Sequence, residues 1–406
     1  MAADHFLGWN LSAFRGDEHV IVSSYLLILT LLLLLGLTIQ HVLTNIWKCT
    51  WIPNAGANIV LGMIIGFIIR VAGGYDKPSI PFTEGTVEPF NPTLLGFSPF
   101  VFYFGFLPLI IFESGYHLKR LVFYHNFSAI VSLALLGTSI SIVIVSTGLY
   151  FLGHYEILGF NNSLSFMECI SFGALISSTD PVTTLATFSS LKVDPAVYYL
   201  VFGESVLNDA LALTVFTVSS HYIGQELSAY LLVDCVVKTA ISFICSGALG
   251  YALGILCAYF IRKLQAYNNK IYIVGIYLTL IYIPFFLSEC FQLSGIVTVL
   301  LAGVAARKYT NKSISPGAAL AVSFVLKAFT SIADLCCACL LGMSVFSQSP
   351  RNFHVGFITF TLLLITIARA VHVYPILNAV RTTYLRVPIT NITYYVMSYC
   401  VLSFYI

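Results

Sequence analysis

Long apolar runs without any charge alternate with short polar segments along most of the chain. The runs at 20–40 and 271–287 are two of them. Because a helix of about 20 apolar residues crosses the hydrocarbon core of a bilayer, each such run predicts one membrane span. We predict an all-α polytopic membrane protein with eleven full spans and a partial twelfth, at 20–40, 54–72, 95–115, 127–152, 164–188, 198–220, 230–261, 270–287, 291–306, 317–347, 353–380 and from about 391.

Basic residues in the connecting segments predict which side of the membrane each segment faces. With the N-terminus in the lumen or extracellular space, one set of segments holds only Arg15, Lys77 and Arg351. The opposite set holds Lys48, Lys119, Arg120, Lys192, Arg262, Lys263, Lys270, Arg307, Lys308, Lys312, Arg381 and Arg386. Because cytoplasmic segments carry the excess of Lys and Arg, this richer set is predicted to face the cytoplasm, and the regular alternation supports the span count.

Composition agrees with a membrane protein. Of the 406 residues 58% are hydrophobic and only 9% are charged, against roughly 25% charged in soluble globular proteins. A net charge of +2 gives no indication of a nucleic-acid partner. The first apolar run lacks a basic flank, so we expect a retained span rather than a cleaved signal. The ten cysteines lie mostly inside apolar runs, where we expect them to pack as small residues.

Ionisable residues inside the spans are the strongest functional signal, because each costs about 2.5–3.5 kcal/mol or more at the bilayer centre. They are Glu113, Asp180, Glu204, Asp209, Lys238, Glu289, Lys327, Asp334 and Arg369. Glu113 and Glu289 lie near span ends, where an interfacial position explains them equally well.

The first stretch that stands out covers 177–183 and has the sequence SSTDPVT. Proline removes a backbone donor and clashes with the preceding turn, and the flanking polar groups can satisfy the freed backbone. Interrupted helices at membrane depth line cavities, typically at ion sites. We therefore expect a functional helix break at Asp180; the alternative is a proline kink packed against a neighbouring helix.

The second stretch, on the next span, has the sequence FGESVLNDA. Glu204 and Asn208 are four residues apart and share a helix face, from which Asp209 is rotated by one residue. Hard cations prefer carboxylate and carbonyl oxygens, and a carboxylate in a poorly hydrated cavity has a raised pKa. Asp209 is therefore predicted to bind either a proton or a cation, and their competition gives exchange. The alternative is a structural ion pair with Arg369 or Lys327, which fits Glu204 better than Asp209.

These two stretches, in this order, resemble the eukaryotic sodium/proton exchanger family, which is marked by Asp-Pro on one broken helix and Asn-Asp on the next. Further similar segments are IFESGY at 111–116, LSGI at 293–296 and RAV at 369–371, and the similarity runs from about 102 to 390. The FESGY run and the VDP at 193–195 resemble the Golgi and endosomal branch more than the plasma-membrane branch. A Golgi or endosomal membrane is thus the favoured location, with the plasma membrane as the alternative.

The resemblance implies a role for each polar residue of the two stretches. Asp209 would be the essential transport carboxylate, with Asn208 and Ser205 as further ion-binding residues. Asp180 and Thr179 would lie at the unwound crossing, and Asp209 and Asp180 would be the Na⁺ ligands. Five residues thus form the expected ion site.

The resemblance also implies structural roles and an assembly. Glu204 would pair with Arg369 to brace the core domain, and Lys327 and Asp334 would be accessory charged groups. The Asn-Asp pattern implies electroneutral exchange of one Na⁺ or K⁺ per proton, with no resident cofactor. The implied fold is the inverted-repeat sodium/proton antiporter fold with discontinuous helices, in a lipid-embedded homodimer with a moving core domain and a static dimer domain.

Two local departures from the family pattern lie outside the ion site. Pro108 is followed by Leu109, where the family usually has a Pro-Pro pair tied to inhibitor sensitivity, so inhibition by amiloride-type compounds is left open. At Asp334 the family usually has Glu, which reaches about one methylene further.

The third departure concerns the C-terminus. After Thr390 the family continues into a second broken helix, a last span and a cytoplasmic tail, whereas this sequence stops at Ile406. We therefore expect residues 1–19 to form an outer N-terminal segment and residues 20–406 to form an exchanger domain that is incomplete at its C-terminus and has no regulatory tail.

Three functions follow as hypotheses. The favoured one is electroneutral exchange of Na⁺ or K⁺ for H⁺, by a secondary active transporter and not an enzyme. The second is a truncated, non-transporting form that at most dimerises with a full-length exchanger. The third is an intramembrane enzyme with Asp180 and Asp209 as a carboxylate dyad, which is disfavoured because a dyad needs neither an adjacent Asn nor a proline-broken helix.

Overall fold

The structure is a computed structural model that describes residues 16–46, 54–72, 102–118, 127–155, 164–178, 195–225, 228–263, 269–310, 313–345 and 354–383. The described residues form twelve α-helices. These are α1 Gly16–His41, α2 Asn54–Ala72, α3 Leu107–His117, α4 Phe127–Ser132, α5 Thr138–His154, α6 Phe166–Ser177, α7 Pro195–Ser220, α8 Ala229–Lys263, α9 Lys270–Cys290, α10 Gly295–Thr310, α11 Pro316–Ser344 and α12 Val355–Thr383.

Three short π-helical turns adjoin these helices. They lie at Val42–Ile46, Phe102–Phe106 and Leu133–Gly137. The last of them joins α4 to α5, so that Ser128–His154 is one continuous apolar helix of 27 residues. A π-helical turn inside an α-helix often marks a functional site, because it changes the direction of the side chains that follow. Here the residue that follows directly is Thr138.

The described helices confirm a polytopic membrane protein. Six helices are long and apolar enough to cross a bilayer, and three shorter apolar helices accompany them. Some described helices have other bounds than the predicted spans. Helix α6, in the span predicted at 164–188, ends at Ser177, and residues 179–188 lie outside the described part of the chain. The helix predicted at 20–40 begins at Gly16, and the one predicted at 291–306 begins at Gly295, because α9 ends in a turn that contains Gln292 with a φ of 56°. The predicted partial span from 391 lies outside the described residues.

One compact unit comprises residues 1–107 and 327–352, and therefore α1, α2 and the C-terminal half of α11. A Cβ added to Gly62 would lie 2.2 Å from the Cys339 carbonyl oxygen, and one added to Gly342 would lie 2.2 Å from the Ile59 carbonyl oxygen. The backbones of α2 and α11 therefore approach closely, as small residues allow between membrane helices. The buried side chains around this crossing are apolar or thiol groups, namely Leu32, Leu61, Cys336, Cys339, Leu340 and Met343.

The other compact unit comprises residues 108–326 and 353–406. In it α8 packs along α10, and α10 also packs on α9. Helix α5 contacts both α6 and α12, and α6 contacts α7 as well. An apolar cluster of Val145, Leu149, Cys169, Ile365 and Ala368 fills the space that α5, α6 and α12 share. This cluster fixes the three helices side by side at one end of the site described next.

Candidate functional site

The site begins where α6 ends. A capping box formed by Ser165 and Glu168 starts this helix, with the Ser165 N–H donating to Glu168 Oε2 at 2.8 Å. The helix stops at Ser177, since Ser178 has extended backbone angles (φ −66°, ψ 134°). The expected ion-site residues Thr179 and Asp180 lie outside the described residues. The end of α6 therefore presents the Ser177 carbonyl, which no longer has a partner within its own helix, to the neighbouring helices.

Asn208 on α7 ties this helix end to α5. Its Nδ2 donates to the Ser177 carbonyl oxygen at 3.2 Å, and its Oδ1 accepts from Thr138 Oγ1 at 2.6 Å. The side chain is only 1% exposed. Both ends of the amide are thus engaged, so that Asn208 holds three helices at fixed distances from one another.

Asp209 contacts the other side of the same helix break. Its Oδ1 accepts a hydrogen bond from the Ser178 hydroxyl, and the Asp209 side chain is half-buried. Ser205, which is also expected at the ion site, is buried one helical turn before Asp209 and so shares its face of α7. The structure therefore brings a carboxylate and two hydroxyl groups to the end of α6.

Arg369 on α12 reaches the same carbonyl oxygen from the opposite side. Its Nη2 donates to Ser177 O at 2.8 Å, and its Nη1 lies 3.7 Å from Glu204 Oε1. The Arg369 side chain is 7% exposed. Of the two partners that the sequence left open for Glu204, Arg369 is the one that pairs with it in the structure. The guanidinium therefore links α12 to both α6 and α7.

Oxygen atoms for a cation come from the side chains around this helix end. The carbonyl groups at a helix C-terminus carry the negative end of the helix dipole, but here the Arg369 guanidinium and the Asn208 amide both donate to the last one, at Ser177. These two donors already satisfy the Ser177 carbonyl. Asp209, Ser178 and Ser205 add hard oxygen atoms of the kind that Na⁺ prefers.

The remaining charged residues of the spans have other surroundings. Lys327 and Asp334 are exposed on α11, in the compact unit that does not contain Asp209. Glu113 accepts from His117 Nδ1 at 2.9 Å on α3, and Glu289 Oε1 accepts from the first N–H of α10, at 3.2 Å. Lys238 forms a 2.9 Å pair with Asp234. Glu113, Glu289 and Lys238 therefore each have a nearby partner for the charged group.

Sequence reasoning did not single out several residues of the network. Thr138 and Ser141 on α5 and His372 on α12 are buried and hydrogen-bonded close to it. Ser178 belongs to the 177–183 stretch that the sequence singles out, but its contact with Asp209 was not predicted. A hydroxyl in an apolar span is a weak signal, since most such groups bond to their own helix, and only the packing of four helices distinguishes these.

Several known proteins have similar sequences. The chain is 31% identical to sodium/hydrogen exchanger 8 of Homo sapiens over 353 residues, which cover 85% of this chain and 58% of the human protein. It is 32% identical to sodium/hydrogen exchanger 5 of Arabidopsis thaliana over 351 residues, which cover 86% of this chain and 64% of the plant protein. The chain thus spans less than two thirds of the length of these relatives.

Solved structures show the same fold. The structure of the sodium proton antiporter MjNhaP1 from Methanocaldococcus jannaschii at pH 8 matches with a TM-score of 0.64 at 18% sequence identity, covering 95% of this chain and 86% of that one. The fold is therefore that of a sodium/proton antiporter. The family model described as "Sodium/hydrogen exchanger, transmembrane" matches residues 28–406. With nearly the whole chain matched, this protein belongs to the sodium/hydrogen exchanger family.

Proposed function

We propose that this protein exchanges Na⁺ for H⁺ across a membrane, and that Asp209 is the group for which the two ions compete. The observation that carries the proposal is the position of Asp209, a half-buried carboxylate hydrogen-bonded to Ser178 where α6 ends inside the protein. A membrane-embedded carboxylate at a helix break is otherwise costly, and it persists where it has a functional role.

Competition at one carboxylate is sufficient for exchange. The deprotonated carboxylate binds a cation with the help of nearby neutral oxygens, and protonation removes the charge that holds the cation. If the site opens to one side of the membrane at a time and moves only when occupied, each inward cation leads to one outward proton. The net charge that moves per cycle is then zero, so that exchange is electroneutral.

Other residues maintain the geometry of the site during this cycle. Glu204 and Arg369 form a partly buried pair that neither binds the ion nor needs to change its charge. Asn208 bonds on both sides and positions its neighbour Asp209 through the backbone of α7. Asp180 and Thr179 belong to the proposal as further ligands, because they follow Ser178 directly in the sequence.

The proposal also covers the ions and the cellular setting. Na⁺ is the cation in the names of the similar exchangers, and K⁺ is the alternative. A Golgi or endosomal membrane is the proposed location, on the basis of the FESGY and VDP segments of the sequence. A homodimer embedded in lipid is the assembly we propose.

The test is cation-driven proton movement in proteoliposomes. Liposomes that contain the purified chain and a trapped pH dye are loaded with acid, and Na⁺, K⁺ or impermeant choline is added outside. We expect Na⁺ to raise the internal pH, choline to leave it unchanged, and an imposed membrane potential of either sign to leave the rate unaltered. Asp209→Asn should abolish the Na⁺ response, because an amide cannot hold the cation by charge.

A matched control separates the role of Asp209 from a general effect of removing a carboxylate. Asp234→Asn removes a carboxylate from α8 that pairs with Lys238 outside the site, and it should retain the Na⁺ response. If Asp209→Asn exchanges as fast as the unaltered chain, the assignment of Asp209 is wrong. If the unaltered chain gives no cation response while it is folded and inserted, the non-transporting alternative replaces the proposal.

A further inference from the structure

A second polar contact lies one helical turn from the Thr138–Asn208 bond. On α5, Ser141 follows Thr138 by three residues, and on α12, His372 follows Arg369 by three residues, so that each pair shares a helix face. Ser141 Oγ and His372 Nδ1 are 2.9 Å apart, and both side chains are buried. The polar network of the site therefore continues beyond the residues assigned to ion exchange.

The His372 ring is held in one orientation. Its Nδ1 also lies 2.9 Å from the Ala368 carbonyl oxygen, and since a carbonyl oxygen only accepts, we assign the proton to Nδ1. The proton is then shared between Ala368 O and Ser141 Oγ. The side chain is 2% exposed. With three polar atoms converging on one proton, the ring has a single favourable position.

Gly137 makes room for this ring. A Cβ at Gly137 would lie 2.9 Å from His372 Cδ2 and 3.4 Å from Nε2. Gly137 is the last residue of the π-helical turn at Leu133–Gly137, and Thr138 comes directly after it. The imidazole therefore packs against the π-helical turn that directly precedes Thr138.

These contacts form a continuous path to the ion site. His372 contacts Gly137 and Ser141, which flank Thr138 on both sides, and Thr138 Oγ1 donates to Asn208 Oδ1 at 2.6 Å. Asn208 precedes Asp209 on α7. A shift of α5 along α12 would therefore move the donor that fixes Asn208.

We propose that His372, through Ser141 and Gly137, is a positioning residue that sets the place of Thr138 and thereby the cation affinity of the site at Asp209. This inference rests on the proposed function. His372 does not touch the transported ion; it acts through α5. Loss of the imidazole contact lets α5 move while Ser141 bonds within its own helix, as serines in membrane helices often do, so that the protein stays folded and binds the cation less well.

Rates of Na⁺-driven alkalinisation over a range of Na⁺ concentrations test the proposal, each rate being normalised to the amount of folded protein in the liposomes. His372→Leu should raise the Na⁺ concentration for half-maximal rate roughly three- to tenfold and change the maximal rate less, the range expected from one interhelical hydrogen bond in a membrane. Ser141→Ala should give a similar shift. The double variant should add little to either single one, because both remove the same contact.

Two further variants distinguish positioning from general packing. His372→Asn places an amide donor where Nδ1 is, and it should restore most of the affinity that His372→Leu loses. Ser219→Ala removes an equally buried interhelical contact, the 2.8 Å Ser171–Ser219 pair of α6 and α7, which has no described link to Asn208. Ser219→Ala should leave the half-maximal Na⁺ concentration unchanged.

The remaining outcomes distinguish a positioning role of His372 from a packing effect and from a failure of the proposed function. If the unaltered chain exchanges and Asp209→Asn does not, but His372→Leu keeps the normal half-maximal concentration, the positioning role is wrong and the proposed function stands. If His372→Leu and Ser219→Ala shift the affinity equally, the effect is one of packing and the inference also fails. If Asp209→Asn behaves like the unaltered chain, the proposed function itself is wrong.

Discussion

The helices of the two compact units are held together by different kinds of contact. In the unit of α1, α2 and the end of α11, glycines let two backbones approach until an added Cβ would lie 2.2 Å from a carbonyl oxygen. In the other unit, α5, α6, α7 and α12 are joined at the end of α6 by Asn208, Arg369 and Glu204. Close backbone packing holds one interior together, and buried hydrogen bonds with an ion pair hold the other.

The polar interior is consistent with the proposed function, because an apolar interior would stabilise helices equally well. Buried ion pairs contribute little net stability, since desolvation offsets their attraction. The polar groups here are concentrated at one carbonyl, that of Ser177, where α6 ends. The comparison indicates that the end of α6 requires hydrogen-bond donors from other helices, and that these donors also define the surroundings of Asp209.

The largest expected effect on stability comes from breaking the ion pair on one side. Arg369→Leu leaves the partly buried Glu204 without its partner and removes a charged donor from Ser177 O. We expect a loss of about 2–3 kcal/mol, measured as a lower melting temperature in detergent. Lys238→Leu is the control, because its pair with Asp234 is 58% exposed on the lysine side and exposed pairs contribute little to stability. Equal losses would mean that the Arg369 pair has no special structural role.

The glycine crossing of the first unit should be nearly as sensitive. Gly62→Ala forces α2 away from α11, because its Cβ would lie 2.2 Å from the Cys339 carbonyl oxygen. We expect a loss of about 1–3 kcal/mol from overpacking. Gly275→Ala on α9 is the control, since nothing lies within 4 Å of a Cβ there, and it should retain the normal melting temperature in the same detergent assay.

A smaller effect is expected at the hydroxyl that fixes Asn208. Thr138→Val keeps the shape of the side chain and removes the 2.6 Å hydrogen bond, so we expect a loss of about 1 kcal/mol. The control is Thr361→Val on α12, whose buried Oγ1 has no hydrogen-bond partner in the described part of the chain. Melting temperatures that fall by the same amount in both variants would contradict the bridging role of Asn208.

The smallest effect, a slight gain in stability, is expected in the unit of α1, α2 and the C-terminal half of α11. Asn58 is 3% exposed on α2, and among the described residues its Oδ1 has no hydrogen-bond partner. Replacing a buried polar group that lacks a partner is nearly neutral or stabilising, so Asn58→Leu should keep or slightly raise the melting temperature. A marked loss would show that this unit, too, depends on a buried polar contact.

Much of the fold was predictable because the bilayer imposes a strict rule on sequence. A spanning helix must be long and apolar, and the runs at 54–72 and 230–261 therefore gave helices whose bounds differ from the structure by two residues at most. The site was only partly predictable. Asp209 and Glu204 are costly charges in apolar runs and attract notice for that reason, whereas Thr138 and His372 have ordinary polar groups whose partners lie far away in the chain.

The sequence by itself determined that the chain consists of long apolar helices, and it predicted a helix break near the end of α6 and the carboxylates that are out of place, because hydropathy, proline chemistry and charge act locally along the chain. Only the tertiary structure decided that Arg369 pairs with Glu204, that Asn208 bridges Ser177 and Thr138, and that Ser178 donates to Asp209. The physical reason is that a buried donor bonds to whichever acceptor the packing of the helices places within about 3 Å. Periodicity along the chain cannot reveal such a partner when it lies 70 or 192 residues away, as it does for Thr138 with Asn208 and for Arg369 with Ser177.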